Sequence, residues 1–184
     1  MLRLHVPSRE EFAVRRGWML DPEMMAYNAG WSIAHAGYDP TTGCIDWPEQ
    51  DWPAFERRLA MPASKQGYFY VQDDQTGEFL GHVHYEVEPD GTARIGLNVV
   101  PGRRGTGLGT RFMELLLERV WRDTRATVVV NDFDDDRPAA AHLHRSHGFT
   151  PDPTTSVAAG RPTRRWRLHR DGAGRQANQH PADE

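Results

Sequence analysis

Three glycines at alternate positions, Gly105, Gly107 and Gly109, stand between the pair Val99-Val100 and a leucine-rich run that ends at Arg122. Glycine has no Cβ, so the backbone there can approach a ligand closely. The N–H groups of a following helix's first turn, at the positive end of its dipole, are suited to a pyrophosphate. Arg103, Arg104 and Arg111 add charge beside this cradle. Two other stretches have spacing that can do chemistry. Between Phe79 and Glu88, the residues His82, His84, Glu86 and Glu88 alternate and share one face of a regular strand. Glu86 or His84 can take a proton there, directly or through a water chain. A solvated polar face competes with that reading, as does an H-x-H-x-E metal site that lacks an identifiable third ligand at a distance. Near the C-terminus, His142-Leu-His-Arg-Ser-His-Gly148-Phe149 gathers His142, His144 and His147 on one short segment, where an imidazole can move protons near neutral pH.

The glycine loop departs from the two commonest nucleotide cradles. A Walker A loop requires Gly-Lys-Ser/Thr, and the one lysine in the chain is Lys65; a dinucleotide fingerprint is G-x-G-x-x-G, whereas the spacing here is G-x-G-x-G. Entered from Val-Val-Pro and continued by a leucine-rich helix, Arg104-Gly-Thr-Gly107-Leu-Gly109 resembles the acetyl-CoA loop of the GCN5-related N-acetyltransferases, the GNAT superfamily. A second signature of that family ends in Gly-Phe, as Gly148-Phe149 does here.

The resemblance implies acetyl-CoA as acyl donor. Main-chain groups of Val99 and Val100 would meet the pantetheine arm, and Arg104, Gly105, Thr106, Gly107, Leu108, Gly109 and Thr110 would hold the pyrophosphate. Family members commonly carry a tyrosine four residues before the Gly-Phe pair as general acid for the departing thiolate. His144 stands at that position, and an imidazolium can fill the role. The asparagine often found seven residues earlier is replaced by Arg137, leaving Asn131 or Asp136 as a substitute cofactor contact. Where many members begin the fourth strand with a catalytic Glu, this chain offers Arg94, so the base falls to Glu86, His84 or water.

These residues need elements to position them. Leu2 to Val6 reads as a first strand, and Ser8 with Glu11 three residues on opens a helix to Leu20, which Asp21-Pro22 stops or restarts. Pro53 suits the first turn of a second helix that runs to Leu59. Strands are expected at Tyr68 to Gln72, Phe79 to Glu88 and Thr92 to Val100, as an antiparallel meander feeding the glycine loop. After the loop come a helix to Trp121, a buried strand at Thr127 to Val130, an acidic loop, a short helix from Ala139 bounded by Pro138 and Gly148, and a strand at Thr163 to Leu168. The order matches an α/β (α+β) GNAT fold over residues 1 to 170. Its expected sheet is mixed and mostly antiparallel, with six to seven strands and about four helices, followed by a disordered tail from Asp171 to Glu184.

Between the first helices lies a long segment rich in aromatics, Gly, Pro and Asn. Tyr27, Trp31 and Tyr38 read either as a substrate lid or as caps over the core. The aspartates 132, 134, 135 and 136 read as a solvated loop or as an attractor for a cationic amine.

A net charge of −4 argues against general nucleic-acid binding, and no apolar run is long enough for a membrane span or a signal peptide. Single Cys44 excludes an internal disulfide and reads as packing, consistent with a cytoplasmic protein. The expectation is an acetyl-CoA-dependent N-acetyltransferase, without a metal, that acts on a primary amine of a small molecule such as an antibiotic, an amino acid or a polyamine, as a monomer or homodimer. Acetylation of a protein N-terminus or lysine, and a non-catalytic CoA sensor, are the alternatives.

Overall fold

The computed structural model describes residues 1–158 and 161–170; the tail expected to be disordered lies outside the described residues. One sheet contains β1 (Leu2–His5), β2 (Gln66–Asp73), β3 (Phe79–Val87), β4 (Ala93–Val99), β5 (Val128–Asp134), β6 (Thr150–Pro151), β7 (Ser156–Ala158) and β8 (Arg161–His169). The strand order is β1-β2-β3-β4-β5-β8-β6, with β7 also paired to β8. Five α-helices are described: α1 (Phe12–Leu20), α2 (Pro22–Met25), α3 (Trp52–Leu59), α4 (Leu108–Asp123) and α5 (Pro138–Ser146).

Connection length sets the pairing. The short turns after β2 and β3 allow only antiparallel neighbours, whereas the crossover through α4 returns the chain parallel, so β4 and β5 form the one parallel pair among the described residues. That pair is brief: Ala93 faces Val129 and Arg94 faces Val130, and the register ends there.

The meander matches expectation to within two residues. The structure exceeds it where elements are short. Asp21 Oδ1 accepts the N–H groups of Glu23 at 2.9 Å and Met24 at 3.3 Å, and Pro22 occupies the first helical position, so the chain restarts as α2 instead of stopping. The expected acidic loop is mostly strand. β5 continues through Asn131 to Asp134 because β8 sets arginines beside its carboxylates: Asp132 lies opposite Arg165 and bonds to it at 2.9 Å, and Asp134 pairs with Arg161 at 2.8 Å.

Two cores sit on opposite faces of the sheet. Period-two alternation sends Phe69, Val71, Val83, Tyr85 and Ile95 to one face, where Phe112, Met113, Leu116 and Val120 of α4 cover them. Each fully buried side chain of this kind contributes roughly 1.5–3 kcal/mol. The other face presents Tyr68, Tyr70, His82 and His84 beneath α1, α2 and α3, whose Phe12, Met19, Met24, Met25 and Phe55 pack with Trp47 and Trp52. Cys44 packs against this second core.

Candidate active site

Where β4 and β5 part, a cleft of about 810 Å³ opens, walled by both strands, the glycine loop, the start of α4 and one side of α5. Val100 N–H donates to Leu80 O at 2.9 Å, so antiparallel alternation turns the main-chain groups of Val99, Leu97 and Ile95 away from β3 and toward β5. With pairing to β5 ended at Arg94, Leu97 and the Val99 N–H face the cleft. Gly105 and Gly107 adopt φ of 76° and 83°, conformations that turn the chain into α4, with Gly107 as N-cap. Arg111 N–H is the one that reaches back to Gly107 O, at 3.4 Å, which leaves the preceding first-turn N–H groups without intrahelical partners. Gly109 lets α4 approach α5: a Cβ there would stand 3.5 Å from Leu143 Cδ2.

A second cavity of about 210 Å³ lies under α1 and α2, and Tyr27, His82 and His84 line both spaces. Gly96, opposite His84 in the sheet, makes room for the junction, since a Cβ there would fall 2.3 Å from His84 Cε1. The His82 ring stacks on Tyr68 at 5.3 Å and the His84 ring at 6.1 Å. Burial, then the nearby Arg58 and Arg15 guanidinium groups, push His84 down to about 4; burial, His84 and Arg15 push His82 well below its ordinary value. Both rings are therefore neutral at pH 7, and each keeps a buried Nδ1 without a protein partner.

The third part of the site is on α5. His144 is 2% exposed, enclosed by Phe133, Phe149 and Trp166. Its Nδ1 lies 2.7 Å from Ala140 O, an acceptor only, so Nδ1 carries the proton; Nε2 then accepts from Asn131 Nδ2 at 3.0 Å. Burial, partly offset by the Ala140 bond, brings this imidazole down to about 4. The cradle arginines are all engaged. Arg104 donates to Val99 O at 3.0 Å and toward Glu23 O and Asn98 Oδ1 at 3.3 Å, Arg103 pairs with Glu78, and Arg111 pairs with Glu114.

The model of the acetyltransferase (GNAT) family matches residues 30–149, more than half of the chain. The chain belongs to that family. No curated protein sequence matches it. Among solved structures, spermidine N-acetyltransferase from Vibrio cholerae in complex with CoA and spermine is similar with a TM-score of 0.73 at 14% identity, covering 94% of this chain and 97% of that one. The aminoglycoside acetyltransferase AAC(6')-Ib is similar in its complex with ribostamycin and coenzyme A, with a TM-score of 0.73, 17% identity and 98% of each chain covered. Its complex with coenzyme A and kanamycin gives a TM-score of 0.71 at 17% identity, with 96% and 99% covered. The GNAT fold expected from the sequence is thus present, with eight strands and five α-helices among the described residues.

Within this GNAT frame the expected site residues separate. Val99, Arg104, Gly105, Gly107, Gly109, Thr110, Asn131, His84 and His144 line the cleft. The Val100 N–H is bonded to Leu80 O, whereas the main-chain groups of Leu97 face the cleft. The Thr106 hydroxyl turns inward to Arg103 O. Glu86 is exposed and lines neither cavity. Of the aromatic segment, Tyr27 reaches the junction, whereas the Tyr38 hydroxyl is bound to Asn28 O at 2.7 Å and Trp31 lines neither space. Three of the four aspartates weighed as amine attractors are engaged by arginines. Burial alone would push the Asp132 carboxyl up, but Arg165 and Arg94 override it and hold it below the usual range, while Asp134 and Asp135 are paired with Arg161 and Arg164. Among the described residues no three His, Cys, Asp or Glu side chains converge as a metal site, and no helix is long and apolar enough to cross a membrane. Arg15 and Arg58, which line the inner cavity, escaped sequence reasoning because nothing local marks them in a chain whose basic residues are nearly all arginine.

Proposed function

We propose that this GNAT enzyme transfers an acetyl group from acetyl-CoA to a primary amine of a small molecule. One observation carries the reading: the cleft between β4 and β5 and the smaller inner cavity meet at Tyr27, His82 and His84. The residues present fit the donor. Unpartnered first-turn N–H groups at Gly107 to Thr110 suit a pyrophosphate, and the outward main-chain groups of Leu97 and Val99 suit a peptide-like pantetheine arm. Acetyl-CoA supplies a thioester whose carbonyl a neutral amine attacks, with loss of the thiol.

The chain's own residues set up that attack. Arg15 and Arg58 surround the inner cavity with positive charge, which lowers the pKa of an ammonium and raises the share of neutral amine. His84, neutral at the junction, is the side chain placed to receive the amine proton, directly or through a water; Glu86 is outside both spaces. His144 in its neutral form holds the Asn131 amide at the cleft wall and acts as a positioning residue, not as the imidazolium acid expected from the resemblance. The neighbours named for spermine, kanamycin and ribostamycin complexes support a small-molecule acceptor, as does the small size of the inner cavity.

Thiol release from acetyl-CoA across a panel of small amines tests this function. Turnover is expected with at least one amine, at a kcat that stays level or rises from pH 6 to 8.5. A kcat that falls as pH rises through 6.5 would restore His144 as the proton donor; tight acetyl-CoA binding with no turnover would favour the sensor.

A further inference from the structure

We propose that the inner cavity is an acceptor subsite for an amine that also carries an oxyanion on an apolar body, a hydrophobic amino acid and not a polycation. This deepens the acyl-transfer reading and rests on it for the location of the reacting amine.

The cavity has two guanidinium groups in its wall, those of Arg15 and Arg58, and no carboxylate. Arg15 extends over the second core, its Cζ 4.8 Å from the Trp47 and Phe55 ring centroids and 5.3 Å from that of Tyr68, with one N–H on Met19 Sδ. Among the described residues no carboxylate pairs with it or with Arg58, although most other arginines of the fold make ion pairs. Two guanidinium groups without a carboxylate partner in one cavity wall are suited to an anion, and the guanidinium fork fits a carboxylate in two-point contact. Trp18, Met19, Met24, Met25 and Ile45 form an apolar part of the wall that can adapt around a branched, thioether or aromatic side chain, beside the polar Asn28. The buried Tyr68 hydroxyl and the Nδ1 atoms of His82 and His84, all without protein partners, remain for the polar end of such a ligand. At about 210 Å³ the space is of amino-acid size. Spermine or kanamycin would instead bring ammonium groups against two like charges with no acid to receive them.

The test compares L-leucine, L-methionine and L-phenylalanine with their carboxamides, and with spermidine and kanamycin. It reads thiol release from acetyl-CoA and, separately, binding of the same amines by calorimetry. The free acids are expected to exceed their carboxamides by about tenfold or more in kcat/KM, with the polycations slower still. Arg58→Ala, an exposed position whose loss leaves packing intact, and Arg15→Gln are each expected to cut that acid-to-carboxamide ratio about tenfold and to weaken amino-acid binding in parallel. If Arg15→Gln unfolds, Arg58→Ala alone decides. Equal use of acids and carboxamides, a preference for spermidine or kanamycin, or an Arg58→Ala enzyme with unchanged ratio and binding would overturn the subsite. Arginine-dependent amino-acid binding without thiol release would instead uphold the subsite and fail the acyl-transfer reading.

Discussion

His144 shows how a residue found by spacing acquires its role from its surroundings. Its position before Gly148-Phe149 was legible in the sequence; its protonation state was not, because that depends on a cage of Phe133, Phe149 and Trp166 assembled from β5, β8 and the turn that follows α5. The same holds for His84, whose neighbours on the strand gave no hint that Arg58 and Arg15 would lie close by. Both imidazoles are held near 4 in the fold, against about 6.5 in the unfolded chain. The sign follows from linkage: the unfolded state binds more protons between those values, so the stability these neutral rings confer is full above about pH 6.5 and is lost as pH falls toward 4. For His144 alone the loss amounts to about 3 kcal/mol at pH 4 and below. Urea melts at pH 7 and pH 5 should show the midpoint falling, with a smaller fall in His144→Phe; pH-independent midpoints would mean the rings are solvated.

At the scale of elements, what was legible was what is long or punctuated. The three-strand meander, α4 and α5 carry clear periodicity and Gly or Pro boundaries. The four-residue α2 and the two- and three-residue β6 and β7 are too short for a period to register. β5 ran past its apolar core because arginines more than twenty residues later neutralise its aspartates, a pairing no local window contains. The separation of β4 from β5 was equally invisible, although the glycines flanking it were conspicuous. Two of those glycines make separable predictions. Gly107→Ala places a side chain at φ 83°, costing about 1 kcal/mol of stability and raising the KM for acetyl-CoA severalfold with little change in kcat for saturated enzyme. Gly96→Ala drives a Cβ into the His84 ring at the junction, so kcat should fall at least tenfold while acetyl-CoA binding by calorimetry changes little. Equal effects of the two on donor binding would contradict the division of roles.

Across the whole molecule, the site exists because two layers are tied to one sheet at different places. Asn98 Nδ2 donates to Met24 O at 2.9 Å, and Arg104, from the glycine loop, reaches Glu23 O; together they fix α2, and so Tyr27, against the strand that borders the donor cleft. Removing one clamp with Asn98→Ala should loosen the inner cavity more than the cleft, raising the KM for the amine above that for acetyl-CoA. An opposite order would place Tyr27 outside the acceptor path.

The central claim is that acetyl-CoA lies between β4 and β5 with its pyrophosphate on the start of α4. Amide hydrogen exchange of the full chain, with and without saturating acetyl-CoA, tests it most directly. Slower exchange is expected at Leu97 and Val99 and from Gly105 to Thr110, with β1 and β2 unchanged; no added protection at these amides, or protection confined to another surface, would contradict it.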